Sequence, residues 1–136
     1  MNLISNSDAV SLPTIPAIVG PTAIGKTGIA LELADRLELE IVSCDSRQIY
    51  KYLTIGTAKP TAAELGGRPY HLIDYVEPTE VYSAAKYRDA AEAVIADCRS
   101  RGKLPLIVGG TGLYLRALRS GFFRTPPPDL DYRAEL

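Results

Sequence analysis

Two rhythms of apolar residues alternate along this chain. Short apolar runs read as buried strands, and longer stretches with apolar residues three and four apart read as helices packed on a sheet. Ala17-Ile18-Val19 is the first run and predicts a short buried strand within about 16–20. Residues 26–37 follow with helical spacing, and Ile29, Ala30, Leu33, Ala34 and Leu37 share one face. Glu40-Ile41-Val42-Ser43 predicts a second strand that ends at Cys44-Asp45-Ser46. Residues 46–52 predict a short helix. Residues 53–69 hold Gly56, Pro60, Gly66, Gly67 and Pro69, so they read as loop with at most a helical turn around Ala62–Leu65. Residues 70–73 predict a short strand. Ser83 is a candidate N-cap for the longest helix, 84–101, on which Ala84, Tyr87, Ala91, Val94 and Cys98 recur before Gly102 stops it. Residues 104–108 form a further apolar run, Gly109-Gly110-Thr111-Gly112 follows, and a last helix opens near Leu113.

Strands alternating with helices predict an α/β fold with a parallel sheet and helices on both faces. Ligands in such folds sit beyond the carboxyl ends of the strands. The segments 20–27, 44–48 and 109–112 all lie there, and they are expected to converge on one site. A chain of 136 residues suits one domain. Residues 1–13 read as a loose leader and residues 14–124 as the core. Thr125-Pro126-Pro127-Pro128-Asp129 opens a proline-rich linker over 125–136.

The strand-to-helix turn after Val19 carries the most specific chemistry. Gly20-Pro21-Thr22-Ala23-Ile24-Gly25-Lys26-Thr27 matches the phosphate-binding loop pattern, in which two glycines are followed by Lys and Ser or Thr. Glycines let backbone N–H groups turn toward phosphate oxygens, and the helix N-terminus adds partial positive charge. Lys26 would reach a terminal phosphate, and the Thr27 hydroxyl would hold Mg²⁺. The fold expected is therefore P-loop NTPase-like. Asp45, at the end of a strand, suits a Mg²⁺ ligand, a proton acceptor or a helix N-cap, and these roles are compatible. The run Gly109–Gly112 reads as a second flexible loop able to accommodate an anion. Lys59 suits either a phosphate contact or a solvated surface.

Charge and cysteines narrow the setting. The net charge is −1, but residues 1–45 carry two basic against six acidic side chains, and residues 46–136 carry thirteen against ten. The second half thus favours a polyanionic partner. Cys44 and Cys98 lack metal-type spacing and read as buried reduced thiols, which suits a cytoplasmic protein. His71, the one histidine, sits in an apolar run and reads as a packing residue. There is no signal-peptide pattern and no window resembling a membrane span.

Several segments together carry a family resemblance. They are Gly20–Thr27, Asp45-Ser46-Arg47-Gln48-Ile49-Tyr50, Ile55-Gly56-Thr57-Ala58-Lys59-Pro60, His71-Leu72-Ile73-Asp74, Tyr82-Ser83-Ala84-Ala85 and Gly109-Gly110-Thr111-Gly112-Leu113-Tyr114. In this order and spacing they resemble the N-terminal part of the tRNA dimethylallyltransferases (tRNA isopentenyltransferases), over residues 17–119. The resemblance implies transfer of a dimethylallyl group from dimethylallyl diphosphate to N6 of the adenosine 3′ of a tRNA anticodon. It implies that the loop from Gly20 to Thr27, which kinases use for ATP-binding, holds the donor's diphosphate with Lys26 and Mg²⁺. It implies a general-base role for Asp45, tRNA contacts from Asp45, Ser46, Arg47, Gln48 and Thr111, and a catalytic setting for Lys26 and Thr111. Members of this family are considerably longer. Ile24 stands where a small polar residue is usual, Cys44 where Ala is usual, and Tyr70 where His is frequent.

Three other readings are compatible with the residues. One is an adenylate isopentenyltransferase acting on free nucleotides. Another is a small-molecule kinase, with Arg116, Arg119 and Arg124 as lid arginines. The third is a phosphate-binding module without turnover. A monomer is the expected state.

Overall fold

A computed structural model describes residues 14–21, 25–53 and 56–120. The leader 1–13, Thr22, Ala23 and Ile24 of the phosphate loop, Arg124 and the linker 125–136 lie outside the described residues. The elements are β1 (Ala17–Val19), α1 (Lys26–Leu37), β2 (Leu39–Cys44), α2 (Ala62–Leu65), β3 (Tyr70–His71), α3 (Ala84–Ser100), β4 (Leu104–Gly109) and α4 (Gly112–Ser120). The four strands form one parallel sheet in the order β1-β4-β2-β3.

The pleat sends alternate residues of β2 and β4 into two cores. Leu39, Ile41, Leu106 and Val108 pack with Ala30 of α1 on one face. Val42, Cys44 and Ile107 pack with Tyr87, Ala91 and Ile95 of α3 and Tyr114 of α4 on the other. The Tyr87 and Tyr114 rings stack at 4.4 Å between centroids, and the Tyr87 hydroxyl donates to the Ser43 carbonyl at 2.9 Å. β2 is buried along its whole length because β4 and β3 flank it and helices cover both faces.

Ser83 caps α3 as its sequence predicts, accepting from the Lys86 N–H. α2 is held by a capping box between Thr61 and Glu64. Several expectations change. Among the described residues only β4 pairs with β1, and Val19 is 52% exposed. Ile29 and Leu37 of α1 are exposed. Ile29 sits about 100° around the helix from the buried Ala30, and Leu37 lies in the last turn. The stripe on α3 includes Ile95 among its buried members, while Val94 is only half-buried.

Residues 46–52 form no helix. Residues 46–49 turn once, and Tyr50 then bridges Val76 in a parallel pair. β3 stops after two residues because Leu72 and Asp74 take φ of 62° and 53°, outside the strand region.

Candidate active site at the carboxyl ends of the strands

The three expected loops do meet. The Gly20 N–H donates to the Gly109 carbonyl at 3.3 Å, and the Thr111 N–H donates to the Cys44 carbonyl at 3.2 Å. A Cβ on Gly110 would lie 2.6 Å from the Gly20 carbonyl oxygen, and one on Gly109 would lie 2.1 Å from that of Cys44. These two glycines are therefore required by the approach of three backbones.

A cleft of about 220 Å³ opens between the loops. Gly25, Lys26 and Thr27 line it from the first loop, Asp45 and Gln48 from the second, Gly109 from β4 and Tyr70 from β3. Gly25 has φ 89°, in the left-handed region that glycine adopts without Cβ strain, and it turns the chain into α1. Among the described residues no side chain caps α1, and its first turn holds no acidic residue. Its leading amides thus offer donors and partial positive charge to an anion. Lys26 arches back so that Nζ donates to the Pro21 carbonyl. Burial pushes the Tyr70 phenol above its ordinary pKa, and its interaction with the Thr27 side chain opposes that shift.

Asp45 is half-buried, and its Oδ1 accepts from the Arg47 N–H at 2.7 Å and the Gln48 N–H at 3.1 Å. The capping role is therefore real, but it caps a turn instead of a helix. Oδ2 accepts no hydrogen bond among the described residues, so a metal or proton role stays open to it. The Gln48 amide donates to the Thr57 and Ala58 carbonyls at 2.9 and 3.2 Å, pinning the following loop under the cleft. Arg47 is exposed.

Thr111 braces the site from outside the cleft. Its Oγ1 accepts from the Ser46 N–H at 2.9 Å and donates to Ser46 Oγ at 3.3 Å. Lys59 is not a surface lysine, and its ammonium is engaged within the protein. Its side chain is 3% exposed, and Nζ pairs with Asp74 and donates to the Tyr50 carbonyl. Arg116 and Arg119 line a separate groove beside β1 and α3, away from this cleft. Neither Lys59 nor the two glycines could be placed from local sequence, because each role depends on a backbone distant along the chain.

A family model described as IPP transferase matches residues 48–136, well over half of the chain. The chain belongs to the IPP transferase family. A tRNA dimethylallyltransferase of Chromobacterium violaceum is 53% identical over 124 residues, covering 91% of this chain and 38% of its own length. One from Roseiflexus castenholzii is 56% identical over 121 residues, covering 88% of this chain and 40% of its own. Among solved structures, the tRNA isopentenylpyrophosphate transferase of Bacillus halodurans superposes with a TM-score of 0.79 at 48% identity, covering 90% of this chain and 41% of that one. A eukaryotic dimethylallyltransferase acting on tRNA superposes with a TM-score of 0.74 at 31% identity, covering 86% of this chain and 31% of its own. This IPP transferase chain thus spans about two fifths of the length of the curated relatives it matches. Among its described residues, no helix is long and apolar enough to cross a membrane.

Proposed function

We propose that this chain forms the donor half of a tRNA dimethylallyltransferase. The enzyme moves the dimethylallyl group of dimethylallyl diphosphate to N6 of the adenosine 3′ of the anticodon. The observation that carries this reading is the meeting of Lys26, Thr27 and Asp45 in one cleft at the strand ends. At about 220 Å³ the cleft falls below the ~300–1,000 Å³ of a complete small-molecule site, which suits the diphosphate part of a larger one.

The reaction breaks the bond between C1 of the dimethylallyl group and the diphosphate oxygen, and it forms a bond from C1 to N6. Charge develops on the departing diphosphate, where Lys26 and the uncapped amides of α1 stabilise it. The Thr27 hydroxyl is a hard oxygen donor of the kind Mg²⁺ takes. Bound Mg²⁺ supplies further neutralisation of the diphosphate. Asp45 Oδ2 accepts the N6 proton while Oδ1 stays bound to the turn amides, so the base is held in place as it works. Thr111 positions Ser46, and exposed Arg47 offers a cation to tRNA phosphate. The adenine leaves its stack to enter the cleft. The enzyme acts as a monomer in the cytoplasm, where its tRNA substrate resides.

The test is product analysis by mass spectrometry, on this chain and on a chain extended to its relatives' length. Dimethylallyl diphosphate is offered with tRNA or with AMP, and ATP is offered separately. Dimethylallyl adenosine is expected in tRNA alone. Prenylated AMP, or phosphoryl transfer from ATP without prenyl transfer, would overturn the proposal.

A further inference from the structure

We propose that Glu40, His71 and Cys98 form a binding site for a zinc-class divalent cation at the end of the sheet opposite the cleft. Glu40 lies five residues before Asp45 on an extended strand, so about 16 Å separates the two sites. The three residues come from β2, β3 and α3, far apart in sequence, and their candidate ligand atoms all lie within 4.8 Å of one another. His71 Nε2 is 3.1 Å from Glu40 Oε2, and Cys98 Sγ is 3.0 Å from the same oxygen.

The donor chemistry selects the metal. Zinc takes thiolate, imidazole and carboxylate at about 2.0–2.3 Å in a tetrahedron, so its ligand atoms sit roughly 3.3–3.8 Å apart. The two contacts to Glu40 Oε2 need small outward shifts to reach that spacing, and the remaining pair already lies within 4.8 Å. A thiolate and an imidazole disfavour Mg²⁺, which separates this site from the oxygen set at Thr27. His71 has a side-chain exposure of 29%, leaving an entry path and room for water as the fourth ligand.

Charge balances as well. The Glu40 carboxylate and the Cys98 thiolate together neutralise a divalent cation. Arg101 now donates to Glu40 Oε1 at 2.8 Å and Oε2 at 2.6 Å, and it also holds Asp97 at 2.8 Å. Releasing Oε2 therefore leaves the guanidinium paired. Burial, helped by Glu40, pushes the Cys98 thiol up to about 11, so the metal must displace its proton. Binding then releases protons and tightens as pH rises. The ion would tie β2, β3 and α3 together and raise the melting temperature through linkage.

Cobalt(II) titration of the tag-free 136-residue chain tests this, with zinc as competitor. His71 is the one histidine in the sequence, so no other imidazole of the chain contributes. One equivalent of cobalt should produce a thiolate-to-cobalt band that zinc removes and excess Mg²⁺ leaves alone. Cys98→Ser should abolish the band. His71→Gln should weaken binding by at least the ~10–100-fold that loss of a mere outer-shell partner costs. Cys44→Ser should leave both band and affinity unchanged. Absence of the band in the wild type, or its survival in Cys98→Ser, overturns the proposal. Should Cys98→Ser fail to fold, His71→Gln decides alone, and unchanged affinity there overturns it.

Discussion

Gly109→Ala puts the construction of the cleft to a quantitative test. Gly109 is the register partner of Cys44 in the β2–β4 pair. An added Cβ would lie 2.1, 2.4 and 2.9 Å from the carbonyl oxygen, carbonyl carbon and Cα of Cys44. All three are backbone atoms, so no side-chain rotation relieves the clash and the strands must part. Overpacking of this kind costs about 1–3 kcal/mol. Parting the strands also strains the bonds from the Gly20 N–H to Gly109 and from the Thr111 N–H to Cys44, each worth ~0.5–1.5 kcal/mol. The total is about 2–6 kcal/mol. At ~4–8 °C per kcal/mol for a domain near this size, the melting temperature should fall by roughly 10 °C or more. Gly112→Ala is the matched control. Gly112 opens α4, and a Cβ there meets nothing within 4 Å. Alanine in a helix is favoured over glycine, so this variant should be as stable as wild type or gain up to about 1 kcal/mol. Thermal and urea denaturation followed by circular dichroism measure both variants. A Gly109→Ala protein within about 0.5 kcal/mol of wild type, or equal losses in both, would refute the reasoning.

Lys26→Ala should eliminate pyrophosphate binding in calorimetry with Mg²⁺ while leaving the melting temperature within a few degrees; retained affinity would remove Lys26 from the anion site. Asp45→Asn, in a chain extended to the relatives' length, should lower turnover by about 10²–10⁴ with donor affinity preserved, since the amide oxygen can still accept the two turn N–H groups; a parallel loss of donor affinity and Mg²⁺ dependence would indicate a metal ligand instead. Glu40 is held well below the usual carboxylate range, first by Arg101 and then by Cys98 and His71, against the opposing effect of burial. Its stabilising contribution is therefore full above the ordinary value of 4.5 and is lost as pH falls through the lowered folded value. Glu40→Gln should flatten acid unfolding curves in that window and cost about 1.5–3 kcal/mol at neutral pH, as loss of a charged hydrogen bond does. Ser43 Oγ is buried without a hydrogen-bond partner among the described residues, so Ser43→Ala should be neutral or stabilising in the same denaturation assay.

The local elements and the phosphate loop were legible because each rests on neighbours in the chain. Apolar spacing marks α1 and α3, Ser83 reaches Lys86 three residues on, and Gly25-Lys26-Thr27 turns a strand into a helix within one motif. Parallel alternation placed the three loops at one end of the sheet before any contact was known. The misread places are those where one backbone decides the fate of another. Residues 46–52 look helical alone, yet Asp45 closes a single turn and Val76 captures Tyr50. Val19 reads as buried, yet among the described residues β1 pairs with β4 alone. Lys59 reads as a phosphate contact or a solvated surface residue, yet Asp74 and the Tyr50 carbonyl enclose its ammonium.

The sequence by itself determined most of the strand and helix segments, a phosphate-loop pattern at the first strand-to-helix turn and which family the motifs resemble, since all of these follow from residue order and spacing. Only the tertiary structure decided that Gly109 and Gly110 are packing glycines, that Thr111 braces Ser46, and that Glu40, His71 and Cys98 meet. Those facts depend on distances of a few ångströms between residues tens of positions apart, and such distances exist only once the sheet has formed.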